Sequence, residues 1–319
     1  MKTHTDRGIT MRKHGLLGRK KPFTAEERPR LVLEEHMAVG TVPAPPAVVD
    51  YASKVTAWPV YLNDQLGDCT CAGIGHAIQA WTAYAGSEVT VTDNDILKLY
   101  EKTGGYVPGN PDTDGGAVMQ NVLEYLEKTG IAGHKVMAFA QLRHCRNLTT
   151  LKTVLNLFGT VYLGINCPDS AQEQFDHGLP WTVVHGAQIE GGHCIVLQKY
   201  DAEVNPLEIV TWGELQRMST GFAQEYIEEA WVIITKDWFE ANGDTVAGLD
   251  LTALGADFAA ITGRRNPFIT LDVETADSLD DLESAIRTHL DLIGDGPLGE
   301  AWDSLRNHLR SALDRLTSL

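Results

Sequence analysis

The sequence predicts an α+β protein in which a helical half packs against an antiparallel sheet or barrel. Two observations carry this. Helical apolar spacing dominates the first half of the chain, and β-branched or aromatic runs dominate the second. Size is the third: 319 residues, 43% of them hydrophobic, are enough for a sizeable core. No internal repeat is visible.

Residues 1–40 read as a polar, basic arm with little periodicity. Val42-Pro43-Ala44-Pro45-Pro46 follows as a stiff, extended connector. Asn63 to Trp81 is a polar turn that runs into a cysteine and then into a helix. Ala72, Ile74, Ala77, Ile78 and Trp81 share one face, Asp68 is placed to cap, and the helix ends near Gly86. Val89-Thr90-Val91 reads as a short strand or turn. Thr92 or Asp93 then caps a helix carrying Ile96, Leu97 and Tyr100. The stretch from Gly104 to Gly116 is rich in Gly, Pro, Asn and Asp, which predicts a long rim or lid loop. Val118, Val122, Leu123 and Leu126 mark another helix, stopped at Gly130.

Strands are expected at His134–Phe139, Thr160–Ile165, His193–Tyr200, Leu207–Trp212 and Ala230–Thr235. A helix is expected at Leu151–Phe158, and a loop with four Gly and two His at Gln174–Gly192. Leu279, Leu282, Ile286, Leu290 and Ile293 form one apolar stripe. A second, through Leu298, Trp302, Leu305 and Leu309, follows a Gly/Pro turn, so the C-terminus reads as a helical hairpin. The organisation expected is a basic arm and connector over 1–45, a main domain over 46–265 and an acidic hairpin over 270–319.

The net charge of −17 argues against nucleic-acid binding by the body. The charge is uneven. Residues 1–21 carry seven bases and one acid, and residues 270–319 carry eleven acids and four bases. Both ends therefore read as interaction segments or as solvated tails, and any nucleic-acid contact falls to the arm. Five cysteines in no scaffold spacing fit a reducing compartment. Residues 1–25 hold no signal-peptide core, and no apolar run approaches the ~18 residues of a membrane span, so a cytoplasmic location without membrane contact is expected.

Cys69 at a helix start feels the positive end of the helix dipole, which should lower its pKa and favour a nucleophilic thiolate. A thiol nucleophile needs a base, a group that orients the base, and donors for an oxyanion. His193, opening an apolar strand, supplies the base. Asn63 and Gln65 each lie six residues before a cysteine, Cys69 and Cys71 respectively, and either amide can serve the oxyanion. A metal site built on Cys69, Cys71 and His76 or His193 is the weaker expectation, since no second ligand pair has zinc spacing. His76 is expected to be packed or on the surface, and His177 and His185 are loop residues beside a cleft. No metal and no cofactor is expected.

The cysteine opening a helix, the strand His193-Cys194-Ile195 with Tyr200, and Trp212-Gly213 together resemble the papain-like cysteine peptidases over roughly residues 45–236. Gly67-Asp68-Cys69-Thr70, Gly192-His193 through Asp201, and Val210 to Gln216 are similar to papain-like proteins of actinobacteria and their phages. The resemblance implies a papain-like fold and hydrolysis of an amide bond in a protein or peptide by Cys69, with Cys71 as runner-up, and His193. It also implies a shielding Trp212. The family pattern places its orienting Asn where this chain has Val210, which cannot hydrogen-bond. Thr211 has a hydroxyl, but as a strand neighbour it is expected on the opposite face. A weak or lost activity follows from that departure. The phage resemblance implies a different role: a structural protein of a virion that meets other subunits through 1–45 and 270–319.

Overall fold

The computed structural model describes residues 13–37, 42–204, 206–236, 238, 250–262 and 267. The chain divides into two compact units, Met1–Leu249 and Asp250–Leu319. In the second, one helix is described, Leu251–Thr262, with Leu254 and Phe258 buried. The hairpin expected over 270–319 lies outside the described residues.

The first unit is α+β, as expected. Six α-helices are described: α1 (Cys69–Tyr84), α2 (Asp93–Gly104), α3 (Met119–Lys128), α4 (Leu148–Phe158), α5 (Asp169–Asp176) and α6 (Thr220–Tyr226). The strands are β1 (Val48–Asp50), β2 (Val136–Gln141), β3 (Val161–Pro168), β4 (Ile189–Asp201), β5 (Pro206–Thr211), β6 (Glu214–Ser219) and β7 (Ile227–Thr235). They form one antiparallel sheet in the order β2-β7-β3-β4-β5-β6, with β1 paired to β4.

Local chemistry explains the ends of these elements. Thr92 and Asp95 form a capping box at the start of α2, and Gly105 and Gly159 close α2 and α4 in the left-handed conformation. Four readings are corrected. The Gln174–Gly192 loop is shorter than expected, because α5 runs to Asp176 and β4 starts at Ile189. His193 is therefore the fifth residue of its strand, not the first. Val89–Val91 forms no strand, because it has no neighbour to pair with. Asp68 does occupy the N-cap position, but its carboxyl makes no capping bond.

The core joins the helices to one face of the sheet. Helix α1 is buried along nearly its whole length, and Ile74, Ile78 and Trp81 meet Tyr162, Val196, Trp231 and Ile233 in one apolar cluster. Gly73 lets the helix lie close to the sheet: a Cβ there would stand 3.0 Å from the Tyr162 ring and 3.3 Å from the Cys194 sulfur. The Tyr162 hydroxyl donates to the Thr70 carbonyl at 2.5 Å and holds the first turn of α1 against β3.

The basic stretch is not a free arm where it is described. From Lys13 to Met37 it lies on the first unit. Leu31 and Leu33 are buried, and Gln141 N–H donates to the Leu31 carbonyl at 2.8 Å.

Candidate active site

Helix geometry separates the two candidate cysteines. Cys69 is one turn before Gly73, so it shares the face that meets the sheet. The backbones of Cys194 on β4 and of Gly18 lie near the thiol and favour its charged form. Cys71 is two residues on, about 200° around the helix. Its sulfur lies 3.6 Å from the Thr103 hydroxyl on α2 and 3.9 Å from that of Thr70. Only Cys69 is therefore placed beside the residue that follows His193.

His193 is fully buried in β4. Its Nε2 is 2.7 Å from the Thr211 Oγ1, and its Nδ1 has no hydrogen-bond partner. The expectation that Thr211 points away is thus overturned, and strand register gives the reason. Val196 pairs with Val210 across β4 and β5, so Val210 shares the face of Val196 and Cys194. Thr211 then falls on the face of Ile195 and His193. The hydroxyl of Thr211, rather than any group on Val210, therefore meets the imidazole.

Trp212 covers the imidazole. The rings stack with centroids 4.6 Å apart and an interplanar angle of 25°. A tight turn sets this up. Thr211 pairs with Glu214, so Trp212-Gly213 is a two-residue hairpin loop, and both residues have positive φ, 47° and 75°. That is the pattern of a type I′ turn, which suits the twist of its strands but is costly for a tryptophan. Phe175 and Trp181 brace the indole from other sides.

Asn63 and Gln65 are also separated. Gln65 is exposed. Asn63 is buried, and its Nδ2 donates to the Leu66 carbonyl at 3.0 Å and to the Leu16 carbonyl at 3.2 Å. His76 is packed: Nε2 meets the Pro59 carbonyl at 2.8 Å, and burial lowers its pKa to about 4. His177 and His185 are exposed. Among the described residues no cluster of three or more His, Cys, Asp and Glu is arranged to hold a metal, and no helix is long and apolar enough to cross a membrane.

The cleft between α1 and β4 is filled by the chain itself, which the sequence did not announce. His14 is tied to Asp176 through its backbone N–H, at 2.6 Å, and its ring, at 2.9 Å. Leu16 N–H donates to the Asn63 carbonyl at 2.7 Å. Ala117 N–H donates to the Gly18 carbonyl at 2.8 Å, and Lys20 N–H to the Ala117 carbonyl at 2.9 Å. Arg19 N–H donates to the Gly192 carbonyl on the opposite wall at 2.9 Å. Two glycines permit this. A Cβ on Gly18 would overlap the Gly67 carbonyl, and one on Gly15 would reach within 2.6 Å of the Trp212 ring.

Electrostatics follow the covering. Burial raises the Cys69 thiol to about 12, and the Asp68 carboxyl adds to the rise, against the nearby Cys194 and Gly18 backbones and the Arg19 cation. The expected lowering by the helix dipole is therefore overturned: removal from water outweighs the dipole here. Burial, helped by the Arg19 cation, lowers His193 to about 3. With the arm seated, thiol and imidazole are both neutral.

A thiol at the start of a buried helix that packs on a strand carrying a histidine beneath a tryptophan defines a papain-like architecture. A solved structure agrees. Xylellain, a cysteine protease from Xylella fastidiosa, superposes with a TM-score of 0.53 at 17% identity, over 73% of this chain and 99% of its own. The chain has the papain-like fold. Digestive procathepsin L 3 of Tenebrio molitor gives a TM-score of 0.46 at 15% identity, over 71% of this chain and 77% of its own. No family model and no curated protein sequence matches the chain.

Proposed function

We propose that the chain is a cysteine peptidase or amidase held in a covered form by its own residues 14–20. Cys69 is the nucleophile, His193 the base, Thr211 the group that orients it, and Asn63 with the Cys69 N–H the oxyanion donors. Trp212 shields the His193–Thr211 bond from water. Gln65 and Cys71 have no part in the chemistry. Substrates are proteins or peptides, cell-wall peptides among them.

One observation carries this reading above the others. The cleft holds an extended peptide by its main chain, with Asn63 and Ala117 on one wall and Gly192 on the other. A carbonyl already sits on the Asn63 amide, where a substrate carbonyl would accept.

The narrower likeness to actinobacterial and phage proteins rests on motif residues alone. A virion role would send the basic arm to other subunits, whereas residues 14–20 of that arm lie on their own chain. This favours the enzyme reading for that stretch.

Alkylation by iodoacetamide or an E-64-type probe, mapped by mass spectrometry, tests the proposal. With residues 14–20 displaced from the cleft, label is expected on Cys69, lost in Cys69→Ala and kept in Cys71→Ala, with peptide cleavage following the same pattern. Equal labelling and cleavage by both variants and the parent would sink it.

A further inference from the structure

We infer that the pocket filled by Arg19 is the specificity pocket of this cleft and takes an arginine side chain of the peptide substrate. The inference rests on the peptidase reading and adds a substrate class to it.

The Arg19 side chain is 1% exposed, yet it carries a full charge. Its Nη1 donates to Glu229 Oε1 at 2.9 Å. Its Nη2 donates to the Ile165 carbonyl at 3.1 Å, to Asn166 Oδ1 at 3.1 Å and to Glu228. Glu229 has a fully buried side chain, and the Trp231 indole N–H holds its other oxygen at 2.7 Å. The acceptor is therefore fixed in place before any guanidinium arrives.

Strand register puts this pocket next to the proposed chemistry. Glu229 pairs with Gly164 across β7 and β3, and Gly164 pairs with Cys194 across β3 and β4. The row ends at Cys194, which follows His193 in β4 and packs against Gly73 of α1, one turn beyond Cys69. Two glycines make the space. A Cβ on Gly164 would stand 2.7 Å from Arg19 Cδ, and one on Gly192 would stand 3.2 Å from Arg19 Nε.

Such a pocket is not a general cation site. The planar fork reaches two carboxylates, a carbonyl and an amide at once, which a lysine ammonium cannot do. An apolar side chain would leave Glu229 buried and unpaired, a costly arrangement. When residues 14–20 leave, the same cost falls on the empty pocket, and a substrate arginine removes it. An open groove lined by Val183, Val184, Ile189 and Tyr226 starts at Asn166, on the edge of this pocket, and gives a bound peptide room to continue.

The full chain carrying Arg19→Ala tests this in two ways. Nα-acetyl-arginine amide should raise its melting temperature, the lysine amide less, and the leucine amide not at all. Adding Glu229→Gln should abolish the rise. Where the alanine chain does not fold, Arg19→Lys replaces it. In cleavage of peptides varied at single positions, arginine should exceed leucine near the cut bond by at least ~100-fold in kcat/KM, and Glu229→Gln should erase that preference. Equal effects of the arginine and leucine amides, or cleavage with no arginine preference, would overturn the inference while leaving the peptidase reading standing. If Cys69 takes no label in any variant, the peptidase reading fails, and the amide measurement alone then decides what the pocket binds.

Discussion

Cys69 and Cys71 lie two residues apart on one helix, both buried and both with raised pKa, yet they are buried by different things. Both belong to one apolar cluster with Ile74, Leu99 and Tyr100, but Cys71 is turned into it, with the Thr103 hydroxyl on α2 beside its sulfur. Cys69 is covered on one side by β4 and on the other by residues 14–20, which are held by main-chain bonds, one histidine and one arginine. The first covering comes off only when the protein unfolds. The second comes off when a strand of peptide leaves. A raised thiol pKa is therefore no guide to reactivity until the covering is identified.

The comparison breaks or holds first at Gly18. Any side chain there overlaps the Gly67 carbonyl, so Gly18→Val should expel the arm and leave the fold intact. Rehydrated at a helix start, Cys69 should fall from about 12 toward or below the ordinary thiol value of about 8.5, and each unit is tenfold in thiolate. The alkylation rate at Cys69 should rise on the order of 10³-fold, with Cys71 unchanged. Rate measurements with peptide mapping decide it. A matching rise at Cys71 would mean that the variant merely loosens the core.

His193 should answer in the opposite direction. Burial and the Arg19 cation both disfavour the imidazolium, so both hold the pKa down, at about 3. In the parent its ring resonance should not titrate above about pH 4. In Gly18→Val water returns and Arg19 leaves, so the midpoint should move up to about 6.5, or higher if a thiolate forms beside it. A midpoint that stays low in the NMR titration would show that β4 and Trp212 alone bury the ring.

Thr211→Val ranks next. It keeps the shape and removes the only hydroxyl on His193 Nε2. The tautomer then loses its anchor, and in the Gly18→Val chain kcat/KM should fall ~100-fold, with Thr211→Ser close to the parent. An unchanged rate would mean that stacking on Trp212 suffices to orient the ring.

These residues also mark what could be read from the chain alone. The α1 face and the His193 strand were legible because each leaves a periodicity; the Trp212-Gly213 turn was not, since Trp212 continues the β-rich run of Leu207–Trp212 and only its positive φ takes it out of the strand. Thr211 was misjudged because its face depends on the pairing of β5 with β4, not on its distance from Trp212 in sequence. The covering segment was invisible for a different reason. Most of its contacts are main-chain bonds, which any sequence can make. Its traces were Gly15 and Gly18, small where backbone meets backbone, and Glu229, a buried acid inside a largely apolar strand. Only the partner, Arg19, gives that acid a meaning.

The smallest effect is expected at Cys71, and it is the control on everything above. Cys71→Ala removes a sulfur packed against Thr103 and leaves a small void, which should cost about 1–2 kcal/mol in urea unfolding. Labelling of Cys69 and cleavage should not change, because the lost contact lies on the far side of the helix from β4. A drop in cleavage larger than the stability loss explains would transfer the nucleophile to Cys71, and with it the oxyanion role to Gln65, which would then have to turn inward from its exposed position.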